Sequence, residues 1–209
     1  MNRPKPSTLA TLAASPVTWL VVLVLLFSLA GPAQAKTYGA IEQQRIDKIF
    51  PQADAISAPE GQFKVRTLSA KGVVIGYVFQ SLDVVDIPAY SGKPINTQVI
   101  LDPAGVIRDA YVLEHHEPIL LIGIPEAKLH DFTARYSGIN VKQRVVVGHS
   151  SDSQAVTVDA VAGATVTAMV VNEVIMRAAH EVAVSLKLIE DKASTAQKIA
   201  LVRSDLFEP

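Results

Sequence analysis

From residue 36 onward the chain alternates short apolar runs with polar or Pro- and Gly-rich breaks, and the spacing of the apolar positions assigns most of the elements. Ile41 to Phe50 has helical spacing and stops at Pro51. Ala53 to Lys64 is turn-rich, with Pro59 and Gly61. Val73 to Gln80, VVIGYVFQ, is β-branched and aromatic and reads as a strand. Asp86 to Pro94, DIPAYSGKP, reads as a loop. Thr97 to Leu101 and Val106 to Glu114 read as the strands of a hairpin around Asp102-Pro103-Ala104-Gly105, a type I turn sequence. Glu117 to Pro125, EPILLIGIP, reads as an apolar loop. A helix over Glu126 to Tyr136 follows, with Pro125 suited to its first turn and Ser137-Gly138 ending it. Val141 to Val147 and Val156 to Val158 read as two more strands, separated by the polar turn HSSDSQ.

The longest periodic segment runs from Thr165 to about Leu188. Its many Val and Ile residues would suit a strand, but length and spacing decide for a helix. Glu173, Arg177 and Glu181 recur at i, i+4 and i+8 as one solvated stripe. Val170, Val171, Val174, Ile175, Ala178 and Val182 lie on the other side. No internal repeat or low-complexity linker interrupts the pattern. The expected fold is α+β: a mainly antiparallel sheet packed against helices.

The first 35 residues follow another pattern. Arg3 and Lys5 precede an apolar run, Val17 to Ala30, and then Ala33-Gln34-Ala35. A basic start, a short apolar core and an A-x-A site read as a secretory signal cleaved before Lys36. The run is shorter than the ~20 residues of a comfortable membrane span; an uncleaved membrane anchor is the alternative. The expected organisation is a signal over 1–35, one domain over 36–188 and a helical tail over 189–209. Either way the rest of the chain is expected to be exported, with membrane association through the N-terminal segment as the variant.

Composition narrows the chemistry. The chain has 209 residues, of which 49% are hydrophobic and 19% charged, so it can bury a core. Nineteen basic against 20 acidic residues give a net charge of -1 and no bulk attraction for nucleic acid. The chain has no cysteine. That zero excludes disulfides, iron–sulfur clusters, thiolate zinc sites and cysteine nucleophiles. A redox role then needs a cofactor held by something other than sulfur.

The window Asp159-Ala160-Val161-Ala162-Gly163-Ala164-Thr165-Val166-Thr167 joins a strand end to the start of the long helix. A helix N-terminus presents unpaired backbone N–H groups and partial positive charge. Gly163 and Ala164 leave the backbone open to close approach, and Thr165 and Thr167 put hydroxyls at the same spot. This composes an anion site. The plainer reading is a Thr N-cap after a Gly turn. A P-loop is excluded, because no Lys follows the Gly.

Asp-x-x-x-Gly-Ala-Thr resembles the flavin-attachment motif of the exported FMN-binding domains, the family that includes NqrC-type and RnfG-type subunits and the NosR type. The resemblance implies FMN joined by a flavin transferase to Thr165 through a phosphodiester. Asp159 is then the motif's leading acid and Thr167 the second acceptor to try. Ala162 departs from the family, which usually has Ser or Thr there. Ala89-Tyr90-Ser91-Gly92-Lys93-Pro94-Ile95 stands where the family has a Tyr-x-Gly loop before its central hairpin. The run from Glu114 through His115, His116, Glu117, Pro118, Ile119 and Leu120 to Pro125 follows the hairpin. The NqrC and RnfG types carry Glu-Thr-Pro-Gly-Leu-Gly there; this run is similar to the NosR type instead. The resemblance covers roughly 38–209.

What the resemblance implies is an electron-transferring flavoprotein domain that supports nitrous oxide reductase. Its partners would be that enzyme or membrane electron-transfer components. The alternatives are a subunit of an Rnf- or Nqr-type ion-pumping complex and a flavin-less assembly or sensory module of the same fold. In the flavin reading, Tyr90, Ser91 and Gly92 and the segment His116, Glu117, Pro118, Ile119 and Leu120 line the ring. Plain loop, turn and buried-plug roles stand beside that reading. His115 and His116 are adjacent and so point to opposite sides on a strand, which argues against a shared metal. Ser91 lacks a G-x-S-x-G context, which argues against a hydrolase.

Overall fold

A computed structural model describes residues 39–190. The expected signal segment, and all of the expected tail beyond Glu190, lie outside the described residues. Helix α1 (Ala40–Ile49) begins where Glu42 accepts the Gly39 N–H at 2.6 Å, and it ends at Phe50, ahead of Pro51. Five strands follow: β1 (Ala55–Ile56), β2 (Arg66–Ala70), β3 (Val73–Gln80), β4 (Asn96–Leu101) and β5 (Ile107–Glu114). They form one antiparallel sheet in chain order. The expected hairpin is present. Asp102 Oδ1 accepts the N–H groups of Ala104 and Val106, each at 2.9 Å, and Gly105 takes the positive φ of +73° that closes the turn. Two helices, α2 (Pro118–Ile122) and α3 (Glu126–Ala134), lead to strands β6 (Val145–Val147) and β7 (Val156–Val158) and the long helix α4 (Thr165–Ser185).

The sheet is covered on both faces, which is why every residue of β4 is buried. On one face Leu68, Val78 and Ile100 pack with Ile46 and Phe50 around α1. On the other, Phe79, Val99, Leu101 and Val112 share a core with Leu129 and Phe132 of α3 and with Val171, Ile175 and Val182 of α4. Each such side chain contributes roughly 1.5–3 kcal/mol by burial. The Glu173–Arg177 pair, 3.9 Å apart on the outer face of α4, contributes far less. Polar contacts orient α1: Glu42 accepts from Gln80 at 2.8 Å, and Arg45 grips Asp109 with two nitrogens. The Arg45 guanidinium lies 4.2 Å over the Tyr111 ring, which stacks on His130 at 4.1 Å.

Two expectations need correction. The segment over Glu117 to Pro125 is not all loop: Pro118–Ile122 is a short helix with Pro118 in its first turn and Gly123 at its end. One turn of helix is too short to show a 3.6-residue period, and Pro118 was the available signal. Of the expected strand Val141 to Val147, Val141 to Arg144 are not strand; β6 covers only the last three positions, and it pairs with β7 in parallel as a separate ribbon. The two strands are only three residues each, and nothing in VVV or VTV sets strand direction.

A Cβ on Gly76 would lie 2.8 Å from Phe50 Cε2 and 3.0 Å from the Leu101 carbonyl oxygen. Gly76→Ala is expected to cost about 1–3 kcal/mol by overpacking the α1 face, read as a lower Tm; an unchanged Tm would mean that Phe50 moves aside freely. The second test is pH. His130 Nδ1 is buried without a partner, and burial holds the imidazole below its ordinary 6.5. Arg45 and His115 add to that lowering, and Glu126 opposes it. The native state therefore binds fewer protons than the unfolded chain, and stability falls as pH drops through 6.5 toward the folded pKa. His130→Gln should flatten the decline of Tm on acidification in that window; an unaltered slope would assign the proton uptake to other groups.

Candidate functional site

The motif over 159–167 joins the end of β7 to the first turn of α4. Gly163 adopts φ +81°, a conformation that disfavours any side chain, and a Cβ there would sit 3.1 Å from Ile124 Cδ1. The positive φ is what favours glycine here, and the Ile124 side chain would have to shift slightly for any Cβ. Ala164, 5% exposed, takes the N-cap position and supplies no side-chain cap. The reading of a Thr N-cap is therefore overturned: Thr165 is the first helical residue, and its side chain is exposed.

The two threonines do not share one spot. Thr167 is 3% exposed, and its hydroxyl donates to Glu117 Oε2 at 2.7 Å. Two helical positions turn a side chain by about 200°, so one hydroxyl faces solvent and the other the interior. Glu117 itself is fully buried, and its other oxygen accepts the Ser91 N–H at 3.0 Å. One carboxylate thus connects the Tyr-Ser-Gly turn, the segment after the hairpin and the first turn of α4. These are the three windows singled out in the sequence. The bridging role of Glu117 was not legible there, because 26 residues separate it from Ser91 and 50 from Thr167.

The remaining candidates divide by exposure. Around the bridge, Tyr90 is 76%, Val166 57%, Met169 50% and Ile119 37% exposed. Met169 follows Thr165 by four residues and Val166 by three, so it neighbours both on the helix surface. Pro118 is exposed as well, whereas Leu120 turns inward into the core. Gly92 closes the turn with φ +77° and donates its N–H to Ala89 O at 2.9 Å. His116 is exposed with Glu114 3.7 Å away, while His115 is tucked in, its Nδ1 accepting the Glu117 N–H at 3.4 Å. The pair points to opposite sides, and among the described residues no group of three or more His, Asp or Glu could hold a metal.

Asp159 meets Arg135, which follows α3: Arg135 Nη1 donates to the Asp159 carboxylate at 3.1 Å and to its carbonyl oxygen at 3.2 Å. Sequence reasoning missed Arg135, which carries no local signal. Beside this pair a cleft of about 380 Å³ is lined by Ile124, Lys128, Phe132, Arg135, Asp159 and Ala162, among others. A larger hollow of about 550 Å³, lined by Phe63 and Leu186, lies at the far end of α4 and contains none of the motif.

The bridge can be tested by itself. Glu117→Ala leaves the Ser91 N–H and the Thr167 hydroxyl without their acceptor and is expected to cost about 1–3 kcal/mol. The 89–92 turn should also become more susceptible to limited proteolysis. An unchanged melting temperature and digestion pattern would show that the three windows hold together without the carboxylate.

Comparison with known proteins bears on what this assembly is. Residues 90–180 match the family model described as FMN-binding domain. The chain is 61% identical over 202 residues to the regulatory protein NosR of Stutzerimonas stutzeri, covering 95% of this chain and 28% of that protein. It is 62% identical over 187 residues to NosR of Pseudomonas aeruginosa, covering 89% of this chain and 26% of that one. It therefore spans little more than a quarter of the length of these relatives. The protein NirI of Paracoccus denitrificans is 26% identical over 171 residues. Among solved structures, NqrC of Shewanella oneidensis matches with a TM-score of 0.38 and 22% identity, over 61% of this chain and 65% of that one. The chain is thus similar to the FMN-binding domain family over residues 90–180 and to NosR proteins over most of its own length.

Proposed function

We propose that the chain is an exported electron-transfer domain that carries FMN covalently on Thr165 and supports nitrous oxide reductase. The observation that carries the attachment site is the contrast between the threonines: Thr165 is exposed at an N-terminus that no side chain caps, and Thr167 is buried with its hydroxyl committed to Glu117. The residues suit the cofactor. Backbone N–H groups at the start of α4 face the place where a phosphodiester on Thr165 would lie, and the helix dipole favours its negative charge. Gly163 keeps the approach free of a side chain. Tyr90, Ile119, Val166 and Met169 offer an exposed apolar seat for a flat ring system.

Bound FMN would supply the electron chemistry, and the protein would supply position and local polarity. Location in the periplasm follows from reading the first 35 residues as a signal or anchor. The link to nitrous oxide reductase, directly or through membrane electron-transfer components, rests on the likeness to NosR. The absence of Glu-Thr-Pro-Gly-Leu-Gly after the hairpin disfavours an Rnf- or Nqr-type subunit.

Co-expression with a flavin transferase is expected to give a chain that fluoresces on a denaturing gel and is heavier by one FMN less one water. Thr165→Ala should abolish both signals. Thr167→Ala should keep them, with some loss of stability from the broken contact to Glu117. A wild-type chain of unmodified mass would remove the covalent reading and favour the flavin-less module. A signal lost only with Thr167→Ala would move the acceptor.

A further inference from the structure

We propose that Arg135 is a positioning residue for flavin attachment, and that Asp159 acts in attachment through it. The proposal rests on the assignment of Thr165 as the acceptor. The Asp159 side chain is 90% exposed and six residues ahead of Thr165, yet it is not idle. One Arg135 nitrogen donates both to its carboxylate at 3.1 Å and to its own backbone carbonyl at 3.2 Å. A carboxylate held in that way fixes the backbone it belongs to. The turn over 159–164 thereby leaves β7 at a set angle.

Two further contacts make Arg135 part of a frame. Ile124, just before α3, fills the space beside Gly163 in the middle of the turn. Tyr136, next to Arg135 and fully buried, donates its hydroxyl to Asn172 of α4 at 2.9 Å. The α3 segment therefore holds the stretch over 159–172 near its start, at its glycine and beyond its first helical turns. The Tyr136 contact belongs to the packed interior, and Ile124, half-buried, packs against the same core. The Arg135 contact is solvent-facing, with the guanidinium side chain 45% exposed, so it can change without unfolding the domain. Its job is to keep the exposed threonine in one presentation to the enzyme that loads it.

Exposed ion pairs shift local equilibria by about two- to five-fold. Losing the pair should lower the fraction of chains presenting the turn correctly by that factor, which raises the apparent KM and leaves kcat unchanged. The experiment measures initial rates of flavin transfer to the purified full chain by a flavin transferase, with Tm recorded for each variant. Asp159→Asn and Arg135→Gln should each raise KM about two- to five-fold at nearly unchanged Tm. The double variant should be no worse than Arg135→Gln alone, because that variant already loses both contacts to residue 159. The charge-exchanged variant, Arg135→Asp with Asp159→Arg, restores the ion pair but not the donation to the residue-159 carbonyl, and should recover only part of the loss.

A large loss with Asp159→Asn alone, tens of fold or more, and none with Arg135→Gln would overturn the proposal: the transferase would then be reading the carboxylate directly. Additive losses in the double variant, or full activity in both single variants, would overturn it too. In each of these outcomes the wild type is still loaded at Thr165. A wild type that takes up no flavin instead defeats the attachment site itself, and the positioning role with it.

Discussion

The Glu117 carboxylate sits where three parts of the chain must meet. It is fully buried, and its two oxygens are shared between a backbone N–H on the 89–92 turn and a hydroxyl on the first turn of α4. Burying a carboxylate is costly unless strong donors meet it, and these two donors come from elements far apart in sequence. The acid is tolerated only when the Ser91 turn and Thr167 are both in place. It therefore acts as a geometric condition on the site: Tyr90, Ile119, Val166 and the exposed Thr165 take their relative positions from it. Hydrophobic burial on the two sheet faces supplies most of the stability, but it does not by itself specify how these three surface segments align.

The rest of the fold prepares that meeting. Strand β5 ends at Glu114, and the short link through His115 and His116 drops Glu117 over the N-terminus of α4. Pro118 starts α2 immediately after it, so the backbone at Glu117 is fixed on its C-terminal side as well. On the opposite side of the motif, α3 holds the turn through Ile124 and Arg135. The first turn of α4 is thus gripped from inside by Glu117 and open to solvent at Thr165 and Val166. A buried threonine spent on structure and an exposed one two residues earlier are the natural result of helical geometry at a boundary between core and solvent.

Much of the fold was legible because its periods are long. The eight-residue strand β3 and the turn at Asp102 to Gly105 follow directly from β-branched runs and Gly/Pro punctuation. The α4 stripe of Glu173, Arg177 and Glu181 is exposed as its spacing requires. Helix α2 and the parallel direction of β6 and β7 were not legible, since a single turn and two three-residue runs carry too few positions to define a period or a register. In the site, the local signals came through: the glycine at 163 and the helix start at 165. The long-range partners did not. Nothing in the residues beside Glu117 says that its carboxylate faces inward, and nothing beside Arg135 says that it will reach Asp159. Such contacts are fixed by the packing of α3 and β5, which only three dimensions display.

The shape of the site bears on how a cysteine-free chain could keep a redox cofactor. A flavin held by affinity alone needs a pocket that buries most of its surface. Among the described residues, the apolar side chains near the motif include exposed ones, with Tyr90 76% and Val166 57% exposed. A covalent phosphoester changes the requirement. The ring is then confined near the surface by its tether, so a shallow seat suffices to orient it, because tethering makes the second contact effectively intramolecular. An open seat also leaves a ring edge accessible to a redox partner, which a closed pocket would not. In the proposed reading the exposed hydrophobic side chains and the exposed threonine are one arrangement: the bond would retain the cofactor, and the surface would need only to aim it.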